Sequence, residues 1–463
     1  MDRSEAMRYK NIGSLLWTFS LPAIIGMLVN SLYNIVARIF VGRGIGAVAI
    51  AATTVAFPIM IILMAVSVLI GVGATALISI RLGENRKEEA EKVAGNAMLM
   101  LILLPAVFAF FFFIFTEPIL MAFGASQEVF PYARDYMHII MLGAVFGSLS
   151  MGMNNFIRAE GNPRMSMYTQ LLGAGINVVL TYVFIFILGW GIKGAAIATI
   201  IAQFISMVWV LSYFYTGRSL VKIRLKNLKP QMPILLSIMA IGFAPFAMQM
   251  ASSVQNLILN KTLMAYGGDL ALSAIGIVIS IGMLLFMPIL GLSQGAQPIL
   301  GYNYGARQYN RVIETLKLAV AAATGIAVLG YIAIRLWSVP LAALFSEGDT
   351  ALTFLTSHAM LIYFAVFPII GFQVICSGFF QATGKALKST ILSLSRQVLL
   401  FIPLLLILPR FWGIEGVWRA APIADCLSVL ITGSFIYFEM KKMKADGGDT
   451  GKALLSPKDS DIE

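Results

Sequence analysis

Cysteine and histidine are nearly missing from this 463-residue chain, which has two of each: Cys376 and Cys426, His138 and His358. So few cannot build a disulfide framework or a histidine-rich metal centre. Charge is scarce as well. Asp, Glu, Lys and Arg make up 12% of residues, about half the share of a soluble domain. The chain also lacks the weak, ten-residue alternating segments of an outer-membrane β-barrel. A cleavable signal peptide is not expected. The first apolar run is too long for a signal h-region and no small-residue cleavage site follows it.

What the chain has is apolar length. Mean hydropathy is +0.87 and 59% of residues are hydrophobic. Charge-free runs cover 11–37, 44–80, 93–116, 165–192, 194–217, 231–260, 270–306 and 350–384. Shorter or singly interrupted runs cover 136–157, 318–334, 389–409 and 420–438. A bilayer is crossed by roughly 20 apolar residues as a helix. Backbone groups in lipid must pair within their own segment. These twelve runs therefore predict an all-α integral membrane protein. The two cysteines fall inside apolar runs and read as small packing residues. Runs 44–80 and 270–306 exceed a bilayer, so their excess is expected to tilt or to project into the cytoplasm.

The net charge of +11 is sorted by side. With the N-terminus inside, 25 of the 33 lysines and arginines fall on the inner side. Short loops are where that bias sets orientation. The expectation is a multi-pass inner or plasma-membrane protein with both termini cytoplasmic. The basic stretch 218–229, "RSLVKIRLKNLK", then faces anionic lipid, and no nucleic-acid partner is expected.

The sequence also repeats. At a spacing of 222 residues Asn34 matches Asn256, "GATALISIRLG" at 73–83 aligns with "GAQPILGYNYG" at 295–305, and "WGIKG" at 190–194 aligns with "WGIEG" at 412–416. Each half holds six runs, so both enter the membrane from one side. That predicts two six-helix lobes related by a pseudo-twofold axis along the membrane normal, and rocking of one lobe on the other. The expected parts are an N-lobe over 1–215, a basic linker over 216–232, a C-lobe over 233–440 and an unstructured tail over 441–463.

"SLYNIV", "GLSQGAQPILGYNYGA", "IRAEGNP", "GFFQATGK" and "GVWRAAPIAD" resemble the multidrug and toxic compound extrusion (MATE) transporters, in the DinF-like and MepA-like branch. The resemblance runs from Asn11 to about Lys442. It implies a two-lobed V and a monomeric antiporter that exports cationic amphipathic molecules on a proton or sodium gradient. No cofactor is implied beyond that coupling ion. The resemblance also implies an N-lobe cation site made of two aspartates with an asparagine and a threonine. Here the neutral partners are Asn177 and Thr199, while Ala37 and Thr181 stand where the aspartates would be. A proton carrier needs a titratable group, and sodium favours anionic oxygen. Three readings are open: substitutions introduced to hold one state, a natural chain coupled elsewhere, or an uncoupled protein.

Ionisable residues inside apolar spans are functional candidates. Asp425 lies roughly 16 Å into the last helix at 1.5 Å per residue. Arg396, on the preceding antiparallel helix, falls at similar depth, so the two are expected to pair or share a network. Either Asp425 exchanges its arginine for a proton or a cationic substrate, as a coupling residue, or the pair simply ties two helices together. Asn34, Gln203, Gln249, Gln255, Asn256, Asn260 and Gln373 are polar on apolar helices. They either line a central cavity or bond helix to helix. The 25 methionines and 31 phenylalanines suit an adaptable apolar cavity. His138 and His358 lie near matching helix ends.

Two other patterns fail on context. "GWGIKG" at 189–194 lies between membrane helices rather than after a strand. "GFFQATGKA" at 378–386 has the wrong glycine spacing for a phosphate loop. The alternatives to an efflux antiporter are a lipid-linked precursor flippase, which would need intramembrane arginines, and an intramembrane enzyme, which would need converging acid, base or metal ligands.

Overall fold

The computed structural model describes residues 7–217, 219–346 and 349–453. Among them there is helix and no strand. The N-lobe comprises α1 (Ile12–Gly44), α2 (Ala47–Gly83), α3 (Lys87–Ile114), α4, α5 and α6 (Gly191–Tyr215). Helix α4 is a bent pair, Phe130–Leu142 and Ala144–Ala159, with 53° between its halves. Helix α5 runs from Pro163 to Tyr182 and continues as a π-helix over Val183–Ile187.

In the C-lobe, helix occupies Met232–Gly305 with a break at Gly268, whose φ of 62° and ψ of −160° are not helical. A straight helix of that length would be about 110 Å long. Yet residues 238–242 and 302–305 both touch α2, at 69–73 and 80–83. The chain folds back at Gly268, where a side chain would be strained. We therefore name two helices, α7 (232–267) and α8 (269–305). Then come α9 (Tyr309–Ala343), the bent α10 (Thr350–Tyr363 and Phe367–Ala382, 53°), α11 (386–412) and α12 (Ile414–Ala453). A π-helix, Ser395–Phe401, lies within α11. Among the described residues nine helices are long and apolar enough to cross a bilayer. The two bent pairs and the fold-back at Gly268 bring the spans to twelve.

The lobes meet backbone to backbone. A Cβ on Gly73 would lie 2.1 Å from the Ile238 carbonyl oxygen, and one on Gly242 would lie 1.7 Å from that of Leu69. On the other side of the axis, a Cβ on Gly295 would lie 2.6 Å from Ser20 Cα. Gly295 is the 222-residue counterpart of Gly73, and Ser20 that of Gly242. On the axis itself Gly83 meets Tyr302 O and Gly305 meets Ile80 O, at 2.0 and 2.2 Å from the added carbon. These contacts lie at the ends of α2 and α8, so the length beyond a bilayer forms the junction between lobes. The glycines are there because small residues let apolar helices approach.

All these contacts sit toward one end, which carries the start of α1, the linker and most of the described lysines and arginines; we call it the basic end. There, apolar side chains of both lobes form one core, from Leu15 and Ile78 to Ile238 and Ile299. Toward the opposite end the N-lobe keeps a separate core, from Val41 and Ala52 to Ile192. Helix α1 buries residues up to Gly26 and then none before Val41. The lobes are thus joined at the basic end and part beyond it, as the two arms of a V.

The linker is docked rather than loose. Glu160, fully buried, accepts hydrogen bonds from Tyr213 Oη, from Ser219 Oγ (2.6 Å) and from the backbone N–H groups of Leu220 and Val221. Asn96 Oδ1 accepts from Gln231 N at 2.7 Å, and Glu91 pairs with Arg224 at 3.4 Å. Val221 and Ile223 point inward while Lys222 and Arg224 point out. At the other terminus α12 carries on as helix to Ala453. The tail expected to be unstructured from 441 is therefore helical in its first part: residues 441–445 are good helix formers, and the helix continues to Ala453 through Gly447, Gly448 and Gly451, which are not. Residues 454–463 lie outside the described residues.

Candidate functional site

In the N-lobe the remnant of the implied cation site assembles. Asn177 Nδ2 donates to Thr199 Oγ1 (3.2 Å), and Thr181 Oγ1 lies 3.4 Å from Asn177 Oδ1. Asn177 and Thr181 are buried. Ala37 sits one turn before Phe40, whose ring packs on those of Tyr182 and Phe186, so it is level with Thr181. The π-helix at Val183 starts two residues after Thr181, and such insertions recur at functional sites. The pocket holds hydroxyls and an amide, with no carboxylate to titrate.

The C-lobe holds the charge. Arg396 Nε donates to Asp425 Oδ1. Asp425 is 2% exposed and Arg396 29%, so the acid is enclosed while the guanidinium reaches an open side. Arg396 lies on the π-helix of α11, and Asp425 faces it from α12. The arginine is the partner that makes a buried carboxylate affordable. Below the pair, Gln373 Nε2 donates to Ser428 Oγ and Gln397 Nε2 to Ser252 Oγ (3.1 Å). The Oε1 atoms of Gln373 and Gln397, Thr432 Oγ1 and Trp418 Nε1 are buried without a partner among the described residues. Buried polar atoms of this kind call for water or an ion.

The expected cavity residues divide. Asn34, Asn256 and Asn260 are exposed; Gln203, Gln249 and Gln255 are half-buried. Asn34 is engaged by its own helix, donating to Asn30 O at 2.7 Å. Gln203 lies against the small residues Gly143 and Gly147 of α4. Gln373 is buried and donates to Ser428 on α12. His138 and His358 are not equivalent: the first bonds Thr116 Oγ1 at 3.0 Å, the second Glu415 at 2.5 Å.

Arg158 was not singled out by its sequence pattern, yet it is buried at the lobe junction. Its guanidinium donates to Asn155 on its own helix and to Gln294 on α8. Only a cross-lobe contact gives it that role, and the pattern "IRAEGNP" does not reveal it. Among the described residues no three His, Cys, Asp or Glu side chains gather as a metal site would require.

The MatE family model matches the chain twice, over 22–183 and 244–407, and the two matches start 222 residues apart. The chain is similar to the multidrug export protein MepA of Staphylococcus aureus (strain N315), 28% identical over 428 residues, covering 92% of this chain and 94% of that one. MepA of Staphylococcus haemolyticus gives the same identity and coverage. Among solved structures, an outward-facing multidrug resistance MATE transporter superposes with a TM-score of 0.91 at 25% identity, covering 96% and 99% of the two chains. A MATE in complex with MaL6 gives 0.90 at 25% identity, covering 95% and 99%. The intramembrane-enzyme alternative is set aside, since two matches of one transporter family model span most of both lobes. This chain belongs to the MatE family and is a multi-pass membrane transporter.

Proposed function

We propose that the protein exports cationic, amphipathic small molecules by alternating access, driven by a proton or sodium gradient, with Asp425 as the coupling carboxylate. The carrying observation is the pairing of an enclosed Asp425 with a partly open Arg396 on a π-helix, in a protein whose N-lobe pocket has no acid. A proton or cation reaching Asp425 competes with Arg396 for its charge and releases the guanidinium toward the open side. Loading and unloading the acid thereby repositions a charge between α11 and α12.

Several features support the reading. Relatives 28% identical are multidrug export proteins. The lobes join at one end and part at the other, as one of two alternating states requires. Basic loops mark the joined end as cytoplasmic, so this state faces outward. The exposed Lys222 on the docked linker then faces anionic lipid. One chain completes both lobes, in keeping with a monomer. Apolar contacts and cation–π attraction would bind the substrate.

The test is efflux of a fluorescent lipophilic cation from proteoliposomes under an imposed proton gradient and, separately, a sodium gradient. Asp425→Asn should abolish gradient-driven efflux while leaving the protein folded and able to bind dye. Full activity in Asp425→Asn would overturn the assignment. Gradient-driven efflux only after Ala37→Asp plus Thr181→Asp would move coupling to the N-lobe.

A further inference from the structure

At the basic end, on the pseudo-twofold axis, a cavity of about 400 Å3 is lined by Arg8, Glu84, Asn85, Arg86 and Arg307 with the helix-end glycines 83 and 305. The hollow is open to one side and its lining is mainly polar. Its two walls are repeat equivalents, one from each lobe, and Arg8 closes it from the N-terminal segment.

Arg86 is occupied by ion pairs with Glu84 and Glu89, but Arg8 and Arg307 have no comparable structural duty. Helices α2 and α8 both end at the cavity, but their last carbonyls are already bonded. Arg86 N binds Arg81 O at 2.9 Å, and Gln308 N binds Asn303 O at 2.9 Å, the usual helix-closing arrangement. Glu84 is engaged by Arg81 and Arg86, at 2.7 and 3.3 Å. Its counterpart in the C-lobe is Ala306, so that wall has no acid. No ion pair among the described residues includes Arg307 or Arg8, and Arg8 Nε is buried without a hydrogen-bond partner. Arg307 also holds φ 56°, a left-handed conformation in which glycine or asparagine is usual. Such strain gathers at ligand clamps.

Arg8 is held in place from the C-lobe. Arg311 donates to Lys10 O at 2.7 Å and to Met7 O at 3.2 Å, and Met7 is buried. The segment from Met7 to Lys10 is therefore fastened over the junction.

We propose that this cavity binds a phosphate-type anion, free or as a lipid headgroup, and that it exists only while the lobes are joined at the basic end. Guanidinium groups suit phosphate oxygens. Parting of Gly83 from Gly305 would separate the two walls, so a bound anion holds this end closed. Binding itself does not depend on the transport reading; only its link to lobe opening does.

The experiment uses the full chain in zwitterionic nanodiscs, with spin labels at Glu88→Cys and Asn310→Cys, exposed positions one repeat apart, after Cys376→Ala and Cys426→Ser. Inorganic phosphate and pyrophosphate are titrated, and a parallel set contains phosphatidylglycerol. Binding is read by thermal stability and lobe closure by label distance. At ten times its Kd an anion that binds only the closed state shifts the closed-to-open ratio roughly tenfold. Arg8→Gln plus Arg307→Gln should remove the response, whereas Lys226→Gln on the linker should keep it. A response to free anions identifies them as sufficient; a response to lipid alone identifies the headgroup. Thermal stabilisation without a change in distance would keep the site and overturn its link to closure. No response to either source, or one that survives the double substitution, overturns the proposal.

Discussion

The glycines at the lobe junction give a prediction with two opposed energies. Gly83→Ala and Gly305→Ala each place a methyl about 2 Å from a carbonyl oxygen across the axis. Relief requires the backbones to part by more than an ångström. Overpacking of this kind costs about 1–3 kcal/mol, and it applies only while the basic end is closed. The same change gives helix propensity in both states, worth about 1 kcal/mol in a helix interior and less at a helix end. Alanine should therefore open the junction without unfolding the lobes. A closed-state cost of about 2 kcal/mol shifts the closed-to-open ratio roughly 30-fold. Spin-label distances between Glu88→Cys and Asn310→Cys should lengthen in both variants, and to a similar extent, because the two glycines are symmetry mates. Gly276→Ala, where a Cβ meets nothing within 4 Å, serves as the control. Unchanged distances with a lowered Tm would refute the argument, for then the contact belongs to folding and not to the state.

Other expectations follow from the same geometry. Arg396→Gln should lower thermal stability by leaving Asp425 buried and unpaired, a loss of about 3 kcal/mol, and Arg396→Met with Asp425→Leu should recover the Tm but not gradient-driven efflux. Ala37→Asp with Thr181→Asp should create a sodium- or proton-dependent rise in Tm that the unsubstituted chain lacks, because the amide of Asn177 and the hydroxyl of Thr199 are already in place to complete the site. Burial pushes the carboxyl of Glu160 above its ordinary value of 4.5, against the pull of hydrogen bonds from Ser219, Tyr213, Val221 and Leu220. Its linkage contribution is therefore fully present below its unfolded pKa and is lost as pH rises through the raised folded pKa. Glu160→Gln should flatten the Tm–pH curve in that window above 4.5.

Much of the architecture could be read from the chain because the bilayer imposes a length on every span. The fold-back at Gly268 was legible as a break between two apolar runs. Arg396 and Asp425 could be matched in depth because two antiparallel helices share a short turn. The bends in α4 and α10 were not legible. Neither were the π-helices, since one inserted residue leaves no mark in an all-apolar stretch. Glu160 and Arg158 counted only as loop charges. Their functions arise from contacts with residues 219–221 and with Gln294, distant in sequence and brought near by packing. The junction glycines were visible as a repeat, but only the assembled lobes show what each one touches.

The contact in which Gly83 meets residue 302 while Gly305 meets residue 80 is isologous, as in a C2 homodimer. A single repeat carrying this surface could associate with a copy of itself in the same orientation. Fusion frees the two copies to differ, and the differences fall where the chemistry is. Asp425 corresponds to Gln203, Arg396 to Ala174, and Thr181 to Pro403. Symmetry is kept along the seam that must close, and given up in the pockets, so that one half acts as a neutral partner to the half that carries charge.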